Sequence, residues 1–139
     1  MNAVTRTCLA FALLLTSACM RTLPDQDLRI RNAVAVAKMT ASDLWQDYQK
    51  DAKAADKQYW GKTVEVSGKV TSADAPDAPR PAVFFAQADT RGVRARLLDE
   101  DAPAILKVAV TGQRVTLKCF CDRLEGDLIL KSCVLMPLR

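Results

Sequence analysis

Histidine is absent from the chain. That removes Ser-His-Asp and Cys-His nucleophilic catalysis and every zinc site that uses imidazole. No apolar run approaches the roughly 20 residues that a membrane-spanning helix requires. Charge of one sign is also lacking. Of 20 Lys+Arg, only Arg6 lies in the first 18 residues, so the remainder carries 19 basic against 16 acidic residues, a net +3. That mild, well-mixed balance falls short of the basic stripe of a dedicated nucleic-acid binder. No C-x-x-C pair is present, which removes the usual signature of a dithiol redox centre. The carboxylate run Asp99-Glu100-Asp101 adjoins Ala-Pro and is better placed to start a helix, where negative charge is favoured, than to do acid–base work. No complete catalytic constellation remains, so an enzyme is not expected, and neither is a cofactor.

The N-terminus has three zones. Arg6 supplies positive charge, Cys8 to Leu15 form a short uncharged apolar run, and Thr16-Ser17-Ala18 are small residues ahead of Cys19. This is the layout of an export signal with its cleavage site. Leu15-Thr-Ser-Ala-Cys19 resembles a lipobox, which implies cleavage after Ala18 and diacylglyceryl modification of the Cys19 thiol. Several acyl chains on one residue, at about 0.8 kcal/mol per buried CH₂, give durable anchoring. Met20, where lipoproteins retained in the inner membrane carry Asp, points to the outer membrane facing the periplasm. The expected division is a signal peptide over 1–18, a lipidated cysteine and tether over 19–39, and one domain over 40–139.

Within the tether, Pro24 and several Asp/Gln residues suggest open chain. Leu28 to Arg31 alternates with period two, whereas Ala33 to Lys38 also suits a helix. From Thr40 the pattern is clearer. Thr40 or Ser42 caps a helix whose apolar stripe is Leu44, Tyr48, Ala52 and Ala55, ending at Gly61. Trp45, Tyr48, Tyr59 and Trp60 are expected to pack this helix onto the domain. Short strands follow. Val64, Val66 and Val70 alternate with polar residues, and Gly68 on their side marks a bend or bulge. Residues 72–81 form a proline-rich loop. Strands are expected over 82–88 and about 93–97, a short helix within 99–110, and a last pair over 114–121 and 127–135 around a turn at Gly126. One helix, three strands, a short helix and two strands suit a mainly β fold, the five-stranded OB-fold barrel, with an N-terminal helix and a short helix between strands three and four.

Leu44-x-x-x-Tyr48, Ala54-Ala55-Asp56-x-x-Tyr59-x-Gly61-Lys62, Val64-x-Val66-x-Gly68-x-Val70, Gly112-Gln113-x-Val115-Thr116, and Cys121 followed by Asp127-Leu-Ile-Leu-x-x-Cys133 together resemble the tRNA_anti-like OB-fold family of bacterial lipoproteins and exported proteins. The likeness covers about residues 41–135. It implies a Cys121–Cys133 disulfide. The residues themselves leave the pairing open: Cys119 and Cys121 share one face of a strand, and a tight hairpin at Gly126 sets Leu128, not Cys133, opposite Cys121. Cys119, Cys121 and Cys133 with Met136 could alternatively form a soft-metal site suited to copper(I), although a structural disulfide is the preferred reading and no metal is expected.

The candidate ligand-binding face is the outer side of the second and third strands. If Val83 and Phe85 point inward with Val93, Ala95 and Leu97, then Phe84 points outward beside Arg94 and Arg96, with Arg91 nearby. Three functions follow. The first is a membrane-anchored, non-enzymatic binding module for an envelope protein, peptide or glycan. The second is an OB domain that binds single-stranded oligonucleotides on an aromatic and cationic face, a role that export disfavours. The third is thiol-based metal binding.

Overall fold

The computed structural model describes residues 23–137. The expected signal peptide and Cys19 lie outside the described residues. The element order is a 3₁₀ turn (Leu28–Arg31), β1 (Ala37–Thr40), α1 (Ala41–Lys50), α2 (Ala52–Tyr59), β2 (Thr63–Lys69), β3 (Ser72–Ala73), β4 (Ala82–Ala88), β5 (Arg91–Leu97), α3 (Ala102–Val108), β6 (Arg114–Glu125) and β7 (Asp127–Leu135). The strands form one sheet in the order β1-β2-β6-β7-β5-β4-β3. The β5–β7 and β1–β2 pairs are parallel and the rest antiparallel.

The five strands read from alternation are all present. They belong to a mainly β, OB-like fold, with the strands of the expected five-stranded barrel lying in one open sheet of seven whose terminal strands among the described residues are β1 and β3. Only Val70 and Thr71 separate β2 from β3, and their amides donate to Gln113 O and Phe84 O. The first long strand therefore pairs with β6 along its start and with β4 at its finish. Gly68 is not a bulge, because the β2–β6 register runs through it unbroken. A Cβ there would lie 2.9 Å from Phe85 Cδ1 and 3.3 Å from Ala41 Cβ. The missing side chain makes room for a core ring and for the start of α1.

The expected single helix is two. Asp51 adopts an extended conformation (φ −159°, ψ 93°), and its carboxylate accepts the Ala54 amide at 3.0 Å, which caps α2. Thr40, rather than Ser42, caps α1 by accepting the Asp43 amide at 3.1 Å. Leu44 and Tyr48 from α1 and Ala55 and Tyr59 from α2 close the core beneath Val66, Phe85, Leu117 and Leu130.

From Leu23 onward, the stretch read as open tether is folded onto the outer side of β6 and β7. Ile30 is fully buried and forms a second apolar cluster with Leu98 and Val134, flanked by Ala33 and Phe120. Lys118 Nζ donates to the carbonyls of Arg31 and Ala33, both at 3.1 Å. Arg31 reaches Asp101 at 2.7 Å and Glu100 at 3.2 Å, so the acidic run before α3 clasps this segment. Asp101 makes no side-chain cap to α3. Truncating Ile30 to alanine should cost about 2–4 kcal/mol in a urea melt, as for a buried aliphatic in a packed site. A loss below about 1 kcal/mol would mean that the segment is only loosely laid on the sheet.

Candidate functional site

The β4–β5 hairpin carries the candidate face. Val83, Phe85, Val93, Ala95 and Leu97 are all buried inward, so period-two alternation turns Phe84, Arg94 and Arg96 outward. Phe84 and Arg94 are direct cross-strand partners, and the Arg94 guanidinium carbon lies 5.3 Å from the Phe84 ring centroid, within cation–π range. Arg96 follows two residues on, opposite Ala82. Arg91 does not join this row. It starts β5 opposite Ala88, across a register shift between Ala86 and Ala88, and is exposed. Gly92 makes that irregularity feasible, since a Cβ there would collide with Phe85 O and Ala86 Cα.

Two carboxylates that sequence reasoning missed change the electrostatics of the face. Asp127 sits beside Arg94, with Oδ2 to Nε at 3.4 Å, while its Oδ1 accepts the Gly92 amide at 3.0 Å. Asp25 meets Arg96 at 3.4 Å, Lys131 at 3.4 Å and Arg80 at 3.8 Å. Partial burial acts to raise the Asp25 carboxyl, but Lys131, Arg96 and Arg80 outweigh it and hold it below the usual aspartate range. Arg94 and Arg96 thus each have an acidic partner, while the exposed Arg91 and the sharing of Asp25 with Arg80 leave the patch mildly basic. Neither carboxylate had a local signal: Asp127 is 33 residues from Arg94, and Asp25 is 71 from Arg96.

The proline-rich segment is less open than its composition suggests. Ser72 and Ala73 pair with Phe84 and Val83, and Asp74 exchanges hydrogen bonds with Ala82. The rest, Ala75 to Arg80, is largely exposed beside the hairpin.

The cysteines differ from the expected pairing. The disulfide joins Cys119 to Cys133, not Cys121 to Cys133, and Cys121 is free and buried. The cause is register. Phe120 pairs with Lys131 and Cys121 with Leu130, whereas Lys118 pairs with Val134, so two residues of β7 face Cys119. Ser132 takes a positive φ of 56° at this irregularity. Cys133 thereby enters the core opposite Cys119, while Ser132 faces the N-terminal segment. Ser132 Oγ accepts the Asp27 amide at 2.9 Å and donates to Asp25 O at 3.0 Å. With two of the three sulfurs joined, Cys121 remains the single thiol of the proposed metal set. Burial pushes that thiol up to about 12 despite the opposing effect of its 3.3 Å contact with Tyr48 OH. It is a core side chain, not an activated nucleophile. Tyr48 and Tyr59 are also core residues, with ring centroids 6.4 Å apart.

A separate cleft of about 310 Å³ lies between α3 and the β6–β7 ends, lined by Val108, Gln113, Val115, Thr116, Leu135 and Met136. It shares no residue with the β4–β5 face.

The tRNA_anti-like family model matches residues 5–134. Among solved structures, a lipoprotein of Klebsiella pneumoniae subsp. pneumoniae MGH 78578, described as nucleic acid-binding, superposes with a TM-score of 0.56 at 13% identity, covering 83% of this chain and 100% of its own. The S. pombe Stn1-Ten1 complex matches at a TM-score of 0.37 and 14% identity over 53% of this chain and 57% of that one. Yeast Stn1 and Ten1 match at 0.40 and 9% over 81% and 71%. The Klebsiella likeness bears on the fold alone, and none of the curated proteins matches the sequence.

Proposed function

This chain belongs to the tRNA_anti-like family, and we propose that it is an exported, lipid-anchored OB-like module that binds an envelope protein or peptide without catalysing a reaction. The observation that carries this reading is the pairing of the two central arginines on the aromatic face of β4 and β5. Phe84 lies against Arg94, whose charge is met by Asp127, and Arg96 is met by Asp25. Such a surface offers an aromatic anchor with polar groups already paired, which suits a mixed protein or peptide surface better than a run of phosphates. The exposed loop over 75–80 and Arg91 extend it. Cys19 would hold the module in the outer membrane, facing the periplasm.

Replacing Arg91, Arg94 and Arg96 together with alanine should abolish in-cell crosslinks to envelope partners while the domain remains folded. Recovery of an unchanged set of partners would remove this face from the interaction. Cys19→Ser should move the protein from the membrane fraction to the soluble fraction without altering its melting transition, and continued acylation of that variant would overturn the anchor assignment.

The alternative of single-stranded nucleic acid rests on Phe84 as a stacking platform and on the description of the Klebsiella lipoprotein. It requires Asp127 and Asp25 to be outcompeted by phosphate. It predicts steep salt dependence, so titration of short DNA and RNA strands at low salt separates the two readings.

A further inference from the structure

Only three residues lie between Cys19 and Leu23, so the four backbone steps reach at most about 14 Å. Leu23 is fixed to the domain, because its carbonyl accepts Lys131 Nζ at 2.9 Å. A lipid on Cys19 therefore holds the folded body against the bilayer rather than on a long stalk. What the segment from Leu23 to Val36 shows to the outside then matters. Its inner side is bound to β6 and β7. It leaves Leu28, Val34 and Val36 exposed by 54%, 86% and 61%. Three exposed aliphatics on one short segment next to an anchor offer an apolar contact toward the bilayer. Lys38, two residues beyond Val36 in β1, is exposed, with its ammonium 3.7 Å from Glu65 Oε2. The Val36 amide donates to Thr63 O at 2.8 Å, which brings the exposed Lys62 to the same end of the domain.

We propose that Leu28, Val34 and Val36, flanked by Lys38 and Lys62, form a membrane-contact surface that rests on the lipid headgroups of the bilayer holding Cys19. The inference builds on the lipid-anchor reading above. The apolar side chains enter the headgroup and upper acyl region, and the Lys62 ammonium, joined by Lys38 as it exchanges Glu65 for lipid, meets lipid phosphates, the division of labour of an interfacial amphipathic element. Asp25 ties the same N-terminal segment to Arg96, so the β4–β5 face stands beside the membrane rather than far above it. A partner would be met close to the lipid surface.

The test uses the acylated full-length protein in phosphatidylcholine–phosphatidylglycerol vesicles. An environment-sensitive fluorophore is placed on Val34→Cys and, as control, on Lys69→Cys, an exposed site six residues along β2 from Thr63 and about 20 Å away. Both side chains are solvent-exposed, and the buried Cys121 in the unsubstituted protein gives the labelling background. The Val34 probe should be blue-shifted on vesicles and quenched by headgroup nitroxides about threefold more than the Lys69 probe, as expected for a site within 5–10 Å of the headgroup boundary. Equal quenching at the two sites in protein that still floats with the vesicles would overturn the contact surface and leave the anchor intact. Absence of acyl chains by intact mass would overturn the anchor reading, and the contact surface with it.

Discussion

Cys133→Ala should lower the unfolding free energy by about 3 kcal/mol, because the Cys119–Cys133 link constrains a 14-residue separation in the unfolded chain and loops of that size carry an entropy of this order. The urea midpoint should fall by roughly 1–3 M at a slope typical of a small domain. Cys119→Ala should behave alike. Cys121→Ala should lose far less, because no covalent link is broken. The pairing has a second, independent readout. Alkylation of the denatured, unreduced mature protein followed by peptide mapping should place the label on Cys121. A label on Cys119 would mean that the bond is Cys121–Cys133 and that the β6–β7 register is not as described.

Lys131→Met should be comparably or more damaging, at about 3–5 kcal/mol, because it breaks a buried charge pair and leaves the partner behind. Lys131 and Asp122 side chains are only 6% and 4% exposed, and their charged atoms are 3.1 Å apart. The same ammonium also holds Leu23 O and Asp25, so its loss should release the N-terminal segment from β7. Hydrogen exchange is expected to accelerate at Asp27, whose amide is bonded to Ser132 Oγ, more than within β2. Adding Asp122→Asn should restore part of the lost stability, since position 122 then no longer holds an unpaired buried charge. A single-mutant cost below 1 kcal/mol would show that Asp122 finds water or another partner at little expense.

Acid should act at the same junction. Asp25 has a depressed folded-state value, so its contribution to stability is complete above the ordinary aspartate range and is lost as pH falls through the lowered value. Acidification is therefore expected to weaken the links to Arg96, Arg80 and Lys131, whereas Asp25→Asn should flatten that part of the pH–stability profile. The membrane-contact proposal shares this hinge, because Leu23 and Asp25 fix how the anchored segment leaves the sheet.

The sequence by itself determined the five long strands, the short helix before β6 and the start of α1. Alternation of Val64 with Val66, of Val83 with Phe85 and of Val93 with Ala95 and Leu97 marked the strands and correctly turned Phe84, Arg94 and Arg96 outward, because side-chain direction in a strand is a local, period-two property. Thr40 marked a helix start through a contact three residues long. Gly126 marked a turn for the same reason, with φ at 73°. Even the family likeness was legible as a series of short motifs. The tertiary structure alone decided what those elements meet. The break at Asp51 interrupts an apolar stripe that reads continuously through it. The slip that gives Cys133 to Cys119 arises from a bulge at Ser132, which sequence spacing does not encode. The segment read as tether is held by Ile30, Lys118 and Lys131 from partners over 60 residues away. The neutralisation of Arg94 and Arg96 depends on Asp127 and Asp25 arriving from other strands and from that same segment. Pairing, register and charge compensation are set by contacts distant in the chain. This is why the candidate face was found from sequence while the acidic partners of Arg94 and Arg96 were not.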